Sequence, residues 1–223
     1  LPLMICLYEF SFFKAKAKFS WKQVMPFLLC LAIIPLTMFL TKTVNIGEIR
    51  SEAGTALSIS SWDYLLTQFK VIVTYIRLLF LPFNQNLDYD YSLAKSILDF
   101  SVLASLFLLV AVLIVAKKLF RNYRLMAFGI FWFFLALLVE SSVMPIEDVI
   151  FEHRLYLPMV GFSFFLVSLI YYLFEKRGLK FMVIALLIIT SGYMALTYRR
   201  NFIWKDEFTL WNDVVAKAPK KAR

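Results

Sequence analysis

Long apolar runs divide the chain and predict helices that cross a membrane. A transmembrane helix needs about 20 consecutive, mostly apolar residues. Five runs come close to that length, whereas the first run, residues 1–13, is too short. We expect it to be the second half of a helix that begins upstream of Leu1. The predicted spans are 1–13 in part, and 24–41, 100–116, 125–146, 155–174 and 181–198 in full.

The segment 63–81 is also long and apolar, but polar residues recur along it at helical spacing. They follow at intervals of four, three, four and three residues, which places them in one stripe. We predict an amphipathic helix at the outer face, either interfacial or re-entrant. Its stripe is either a solvated face beside lipid headgroups or a cationic wall for a phosphate-bearing lipid. The stripe consists of Asp63, Thr67, Lys70, Thr74 and Arg77.

Charge alternates between the connections that join the predicted spans. The loops 14–22, 117–124 and 175–180 are basic, and the intervening connections are acidic or mixed. Lysine and arginine collect on the cytoplasmic side of membrane proteins, so we place these three loops in the cytoplasm. If 63–81 spanned the membrane, the two later basic loops would lie outside. We therefore expect the outer segments to be 83–95, 147–154 and 205–223.

The tail 199–223 changes character, because apolar residues now alternate with polar ones at helical spacing. It predicts an outward-facing amphipathic helix that leads into a further domain. Arg199 and Arg200, with the neighbouring aromatic residues, form either an interfacial belt or a headgroup site. The apolar positions are Phe202, Trp204, Phe208, Leu210, Trp211 and Val215.

Composition supports a membrane protein and excludes several kinds of enzyme. Hydrophobic residues make up 61% of the 223 residues and charged residues 17%, against about 45–50% and 25% in soluble domains. The net charge of +9 is concentrated in the short loops, so we predict no nucleic-acid partner. One histidine and two cysteines cannot form a Cys/His zinc site, and the six glycines form no nucleotide-binding motif.

Two acidic residues and two tyrosines interleave in the loop after the amphipathic segment. Asp88 and Asp90 are two positions apart, and Tyr89 lies between them. With a third ligand, the carboxylates could hold a divalent cation. They could also act as a base or orient a sugar hydroxyl, which the aromatic neighbours favour. The alternative is that they cap a turn.

A second polar group stands where the span 155–174 begins. Glu152, His153 and Arg154 are contiguous, and Tyr156 follows. Ionisable groups at membrane depth usually face a cavity or a partner, and arginine suits a phosphate. We expect Arg154 to point into an outward-opening cavity that Asp88 or Arg77 also reaches. The alternative is an internal pair of Glu152 with Arg154. For Glu140, a structural hydrogen bond and a cavity position both stay open.

Three strings carry a family resemblance: YIRLLFLPFNQNLDYDYS (75–92), FEHRLYLPMVGFSF (151–164) and RRNFIWKDEFTLWNDVVAKAPKKAR (199–223). In this order, the chain resembles the membrane half of the transmembrane and tetratricopeptide-repeat O-mannosyltransferases and their bacterial relatives. The segment 1–14 is also similar to a mid-membrane part of that family. Met159 departs from the serine that the family often has after Leu-Pro.

The resemblance implies a partial GT-C fold, an all-α polytopic membrane bundle that transfers sugar from a polyprenyl phosphate on the non-cytoplasmic face. It implies tetratricopeptide repeats after residue 223 and catalytic acids upstream of Leu1. Within this chain we assign the phosphate to one group of residues and the sugar, the acceptor or a metal ion to another. The first group is Lys70, Arg77, His153 and Arg154, and the second is Asp88, Asp90 and Glu152, with Tyr89 and Tyr156 beside them.

We therefore expect a multi-pass membrane glycosyltransferase for protein O-glycosylation, in a bacterial inner membrane rather than the endoplasmic reticulum. Its C-terminus would face the non-cytoplasmic side. The expected partners are a lipid-phosphate-linked sugar, a protein acceptor or partner bound through the repeats, and membrane lipids. Two other functions fit the sequence: a non-catalytic anchor that presents a repeat domain, and a lipid-linked oligosaccharide polymerase or ligase.

Overall fold

The computed structural model describes most of the chain from residue 59 onwards and a short segment near the N-terminus. The described residues are 2–13, 25, 26, 29, 33, 59–138, 141 and 149–219. The predicted span 24–41 and the basic loop 14–22 lie wholly or largely outside them, as do Glu140, Glu147 and Asp148. Within the described part, all regular structure is helical, which confirms the all-α expectation.

The N-terminal helix belongs to a unit of its own, residues 1–60. Helix α1 covers Pro2–Phe12 and is apolar throughout. Tyr8 contacts the rings of Phe12 and Phe13 within this unit, at centroid distances of 5.4 and 5.5 Å. Its 11 residues match the partial span predicted over 1–13.

The second unit, Ser61–Arg223, contains every predicted site residue, and its described residues form six further helices. They are α2 (Ser61–Phe80), α3 (Phe100–Asn122), α4 (Arg124–Leu138), α5 (Tyr156–Phe174), α6 (Leu179–Ile203) and α7 (Glu207–Lys217). A 3-10 turn, Glu152–Leu155, leads into α5. Gly178 has a φ of 94° between α5 and α6, a conformation that side chains with a Cβ rarely adopt.

Three described helices are long and apolar enough to cross a membrane, which is compatible with a multi-pass membrane protein. They are Phe100–Asn122, Glu152–Arg177 and Leu179–Ile203. They coincide with the predicted spans 100–116, 155–174 and 181–198. Helix α4, Arg124–Leu138, covers the predicted span 125–146 as far as Leu138, and the remainder of that span is mostly outside the described residues. The number of five full spans stays a prediction.

Helices α4 and α5 are antiparallel and touch through backbone atoms. Gly129 of α4 faces Gly161 of α5 so closely that a Cβ on Gly129 would lie 2.4 Å from the Gly161 carbonyl oxygen. Further along the pair, the indole of Trp132 donates to the carbonyl oxygen of Leu157 at 3.0 Å. The rings of Tyr123 and Tyr172 pack against each other at the other end of the pair, with their centroids 4.7 Å apart. The two glycines therefore set how near α5 approaches α4.

Helix α2 runs in the same direction as α3 and ends halfway along the bundle. Leu66 clusters with Val102 near the start of α3. At the other end of α2, Phe80 packs edge-on against Phe162, near the middle of α5, at 4.9 Å. The Tyr193 hydroxyl, from the middle of α6, donates to the Leu79 carbonyl oxygen at 2.6 Å. The chain must therefore run back along α2 before α3 begins.

This return segment, residues 81–99, hydrogen-bonds to the polar stripe of α2. The Thr67 hydroxyl accepts from the Ala94 amide at 2.9 Å, and the Thr74 hydroxyl lies 3.2 Å from that of Tyr91. Lys70 donates to the Ser92 carbonyl oxygen at 3.4 Å, and Arg77 to that of Phe83 at 3.1 Å. Lipid-facing backbone would have no such donors and acceptors. The stripe thus gives the return segment partners for its backbone groups.

Candidate functional site

A cavity of about 640 Å³ opens where the end of α2, the return segment, α5 and α6 meet. Helices α5 and α6 are antiparallel, and Tyr156 and Arg200 are equally far along the chain from the Gly178 turn. The polar residues before α5 and at the end of α6 therefore share one end of the cavity. This polar end is lined by Gln85, Asn86, Glu152, His153, Tyr156, Arg200, Asn201 and Trp204.

The other end of the cavity is mostly apolar and lies between α5 and α6, although Ser163 and Thr190 also line it. On α5 the lining extends from Tyr156 to Val167, which is about 16 Å of helix at 1.5 Å per residue. The apolar residues include Phe162, Leu166, Val167, Leu186 and Ile189. An elongated cavity with one polar and one apolar end matches an amphipathic ligand rather than a free sugar.

A neighbouring, wholly apolar cavity of about 310 Å³ lies between α2, α3, α4 and α5. Leu79 and Phe162 line both cavities, so these two side chains form part of the wall that separates them. Gly129 also lines the smaller cavity.

The carboxylate of Glu152 is held in place at the polar end by two donors. One oxygen accepts from the Tyr89 hydroxyl at 2.6 Å and from the Asn86 amide at 2.8 Å. Burial raises the pKa of Tyr89, and its hydrogen bond to Glu152 raises it further. The tyrosine thus remains a neutral donor at physiological pH, and Glu152 is oriented by the return segment.

Arg154 lies behind the cavity wall, where it supports the turn before α5. It is 7% exposed, and its guanidinium donates to the Val149 carbonyl oxygen at 3.4 Å. It also lies 5.3 Å from the ring centroid of Phe151. His153, which lines the cavity, stacks on Phe151 at 4.8 Å. The Phe151 backbone is bound in turn by the Tyr75 hydroxyl, which accepts from its amide and donates to its carbonyl oxygen.

Helix α7 folds back over the polar end through a chain of charged groups. Arg200 contacts Asp213 at 2.8 Å, and Lys217 contacts the same carboxylate at 2.7 Å. Lys217 also donates to the Gln85 carbonyl oxygen at 2.7 Å. Burial raises the pKa of Asp213, but hydrogen bonds from Lys217 and Arg200 outweigh this and hold the pKa below its ordinary value. The end of α6 is thereby linked to the return segment.

The structure brings together only some of the residues that the sequence proposed. Glu152, His153 and Tyr156 line the cavity, and Tyr89 lies one hydrogen bond behind Glu152. Asp88 and Arg154 are buried and are not among the lining residues, so the expected meeting of Arg154 with Asp88 or Arg77 in this cavity is not observed. Lys70 and Arg77 hold the return segment, and Asp90 is exposed.

Several polar lining residues, among them Gln85, Asn86 and Asn201, were not chosen from the sequence, and Arg200 was named with Arg199 only as an alternative headgroup site. Asn86 stood beside the acidic pair but carried no charge to mark it. Arg200 was indistinguishable from Arg199, because α6 is apolar on all sides and periodicity cannot show which side faces α5. The described residues contain no group of three His, Cys, Asp or Glu side chains that could hold a metal ion.

Comparison with known proteins identifies no relative of this chain. No family model, no curated protein and no solved structure matches the chain. Function is therefore inferred from the sequence of this chain, with the resemblance that it carries, and from the geometry of the cavity.

Proposed function

We propose that this chain is the membrane part of a glycosyltransferase that uses a polyprenyl-phosphate-linked sugar. The observation that carries the proposal is the two-ended cavity between α5, α6 and the return segment. Its apolar end suits an isoprenoid chain, and its polar end has a carboxylate, an imidazole and a guanidinium for the sugar phosphate. Such a donor reacts at the bond between the sugar and the phosphate, so the reacting atoms would lie at the polar end.

In this proposal Glu152 orients a sugar or acceptor hydroxyl, because its carboxylate lines the cavity in a fixed orientation. His153 and Tyr156 contact the same ligand from the start of α5. Arg154 acts as a positioning residue, since it stabilises the turn that presents Glu152 and His153. The main catalytic acid is expected outside this chain, as the family resemblance implies.

Transfer of sugar from the lipid tests the proposal. The full-length protein, including the segment expected upstream of Leu1, is purified in nanodiscs and given a radiolabelled polyprenyl-phosphate sugar, and label that leaves the lipid for protein or water is counted. Glu152→Gln should lower the rate by about 10- to 100-fold, the cost of a hydrogen bond to a charged group. The control is Glu175→Gln, an exposed carboxylate at the opposite end of α5. No transfer by the parent protein, or equal rates for both variants, would contradict the proposal.

One observation favours the second function, a non-catalytic anchor that presents an outward domain. Phe208, Trp211 and Val215 lie on one face of α7, and 80%, 45% and 61% of their surfaces are exposed. A partner that covered this face would remove apolar surface from water. An anchor would show no sugar transfer in the same assay, so one measurement distinguishes the two functions.

A further inference from the structure

Two buried polar atoms at the polar end of the cavity have no hydrogen-bond partner among the described residues. They are the side-chain oxygen Oδ1 of Asn86 and the Nη2 nitrogen of Arg200. Both residues line the cavity, Asn86 from the return segment and Arg200 from the end of α6. Buried polar groups are satisfied in the great majority of cases, so the pair calls for a partner from ordered water or from a ligand in the cavity.

The burial of these residues indicates a prepared site rather than a flexible surface. Asn86 is 4% exposed, and its backbone amide is fixed by the carboxylate of Glu152. The Arg200 side chain is 13% exposed, and its Nη1 is fixed by Asp213. In each residue one group is therefore held by a hydrogen bond, while one polar side-chain atom lacks a hydrogen-bond partner.

The chemistry of the two atoms is complementary to one kind of ligand. Arg200 Nη2 can only donate, and a guanidinium binds anionic oxygens with charge-assisted hydrogen bonds. Asn86 Oδ1 can only accept, so it requires a hydroxyl or amine. The phosphodiester of a polyprenyl phosphoryl sugar has no O–H group, so its phosphate can satisfy the first atom but not the second. A phosphate that carries a sugar supplies both.

We propose that Arg200 and Asn86 form a two-point site in which Arg200 binds the phosphate and Asn86 accepts a hydrogen bond from a sugar hydroxyl. This inference rests on the proposed function, and it assigns the anion to Arg200 rather than to Arg154. The ion-pair chain from Arg200 through Asp213 and Lys217 to Gln85 joins the two walls of the site.

Equilibrium binding to the purified protein in dodecyl maltoside tests the phosphate contact. Farnesyl phosphate is compared with farnesol and with inorganic phosphate, so that the roles of anion and chain are separated. We expect farnesyl phosphate to bind more tightly than either. Arg200→Gln should weaken that binding about tenfold or more. The control Arg199→Gln, an exposed neighbour with the same charge, should change it by less than about twofold.

A second variant separates anion binding from the docking of α7. Asp213→Asn removes the ion-pair partner of Arg200 but leaves the guanidinium in place. If Arg200 binds the phosphate, farnesyl phosphate should bind this variant at least as tightly as the parent protein. Equal weakening by Asp213→Asn and Arg200→Gln would show that the effect arises from α7, and it would overturn the proposal. So would equal binding by Arg200→Gln and Arg199→Gln.

The contact of Asn86 is tested with a glycosylated ligand. Asn86→Ala should weaken binding of farnesyl phosphoryl-mannose about fivefold, as for one lost neutral hydrogen bond, and leave farnesyl phosphate unchanged. Equal losses for both ligands would overturn the role of Asn86. The proposed function is tested separately. A protein that binds these ligands as described but transfers no sugar would support the two-point site and contradict the glycosyltransferase function.

Discussion

At the scale of single residues, the Thr67 hydroxyl joins two parts of the chain. It donates to the Asp63 carbonyl oxygen one turn earlier at 2.6 Å and accepts from the Ala94 amide at 2.9 Å. Thr67 is 0% exposed and Ala94 is 2% exposed, so water cannot replace the bond between them. One side chain thus satisfies a buried amide of the return segment.

We predict that Thr67→Val lowers the free energy of unfolding by about 1–3 kcal/mol, the cost of a buried donor without an acceptor. Denaturation in a graded mixture of mild detergent and sodium dodecyl sulphate measures it. Thr74→Val is the matched control, because its hydroxyl meets the Tyr91 hydroxyl rather than a buried backbone amide. If both valine variants lose the same stability, the Ala94 amide is not the reason.

At the scale of secondary-structure elements, the α4–α5 contact depends on two glycines. A Cβ on Gly129 would lie 2.4 Å from the Gly161 carbonyl oxygen and 2.7 Å from the Phe165 amide nitrogen. Both are backbone atoms, which cannot rotate away as the end of a long side chain would. The helices must therefore separate to accept even one methyl group.

Gly129→Ala should consequently lower the free energy of unfolding by about 1–3 kcal/mol, as overpacking does in other cores. The same substitution at Gly192 of α6 is the control, since nothing lies within 4 Å of a Cβ there. Alanine also favours a helix over glycine by about 1 kcal/mol, so Gly192→Ala should be neutral or stabilising. Thermal unfolding of both variants measures their stability relative to the parent protein. A loss of stability in Gly192→Ala would contradict the explanation from packing.

The docking of α7 should depend on pH through Asp213. The pKa of Asp213 in the folded protein is below its ordinary value of 3.8. At pH values above the ordinary pKa of 3.8, the ion pairs of Asp213 therefore contribute their full stabilisation. This stabilisation is lost as the pH falls through the lower pKa that Asp213 has in the folded protein. We expect α7 to stay docked from pH 7 to pH 5 and to detach only below about pH 4.

Hydrogen-exchange protection factors for the amides of Glu207–Lys217 measure this detachment. Asp213→Asn should show the reduced protection already at pH 7, because the amide cannot form the ion pairs with Arg200 and Lys217. Detachment of the parent helix near pH 6 would point to a different titrating group and would refute the role given to Asp213.

The helical elements were predictable from the sequence to different degrees. The stripe of α2 and the apolar runs of α3, α5 and α6 show in the periodicity, because each helix repeats its environment every turn. The sequence does not show that the return segment binds this stripe, because the return segment has no repeating pattern. The position of Glu152 at the cavity was predictable because a carboxylate beside an apolar helix needs polar surroundings. The choice of Arg200 over Arg199 depends on the rotation of α6, which its sequence leaves undefined.

At the scale of the whole molecule, the directions of the helices set which loops share a side. Helices α3 and α5 run the same way, so their C-terminal ends near Lys118 and Lys176 lie at one end of the bundle. The return segment, which includes Asp90, precedes α3 and lies towards the other end. If these helices cross a membrane, α2 enters to mid-depth and returns without crossing.

Cysteine labelling from either side of the membrane tests this arrangement. In a background without Cys6 and Cys30, Asp90→Cys should react with an impermeant reagent from outside. Lys118→Cys and Lys176→Cys should react only from the cytoplasmic side, as the basic loops predict. All three replaced residues are exposed, so accessibility reports the side rather than burial. Reaction of Asp90→Cys and Lys118→Cys from the same side would refute the topology.

The path of α2 also determines when it can assemble. The side chains of Gln68 and Tyr75 bond to the carbonyl oxygens of Val149 and Phe151, across 81 and 76 residues of sequence. At about 5–20 residues per second, the ribosome needs on the order of 4–16 s to add that stretch. During this interval the polar groups of α2 lack two of their final acceptors. We therefore expect α2 to remain at the membrane surface until α5 has been synthesised and to insert only then.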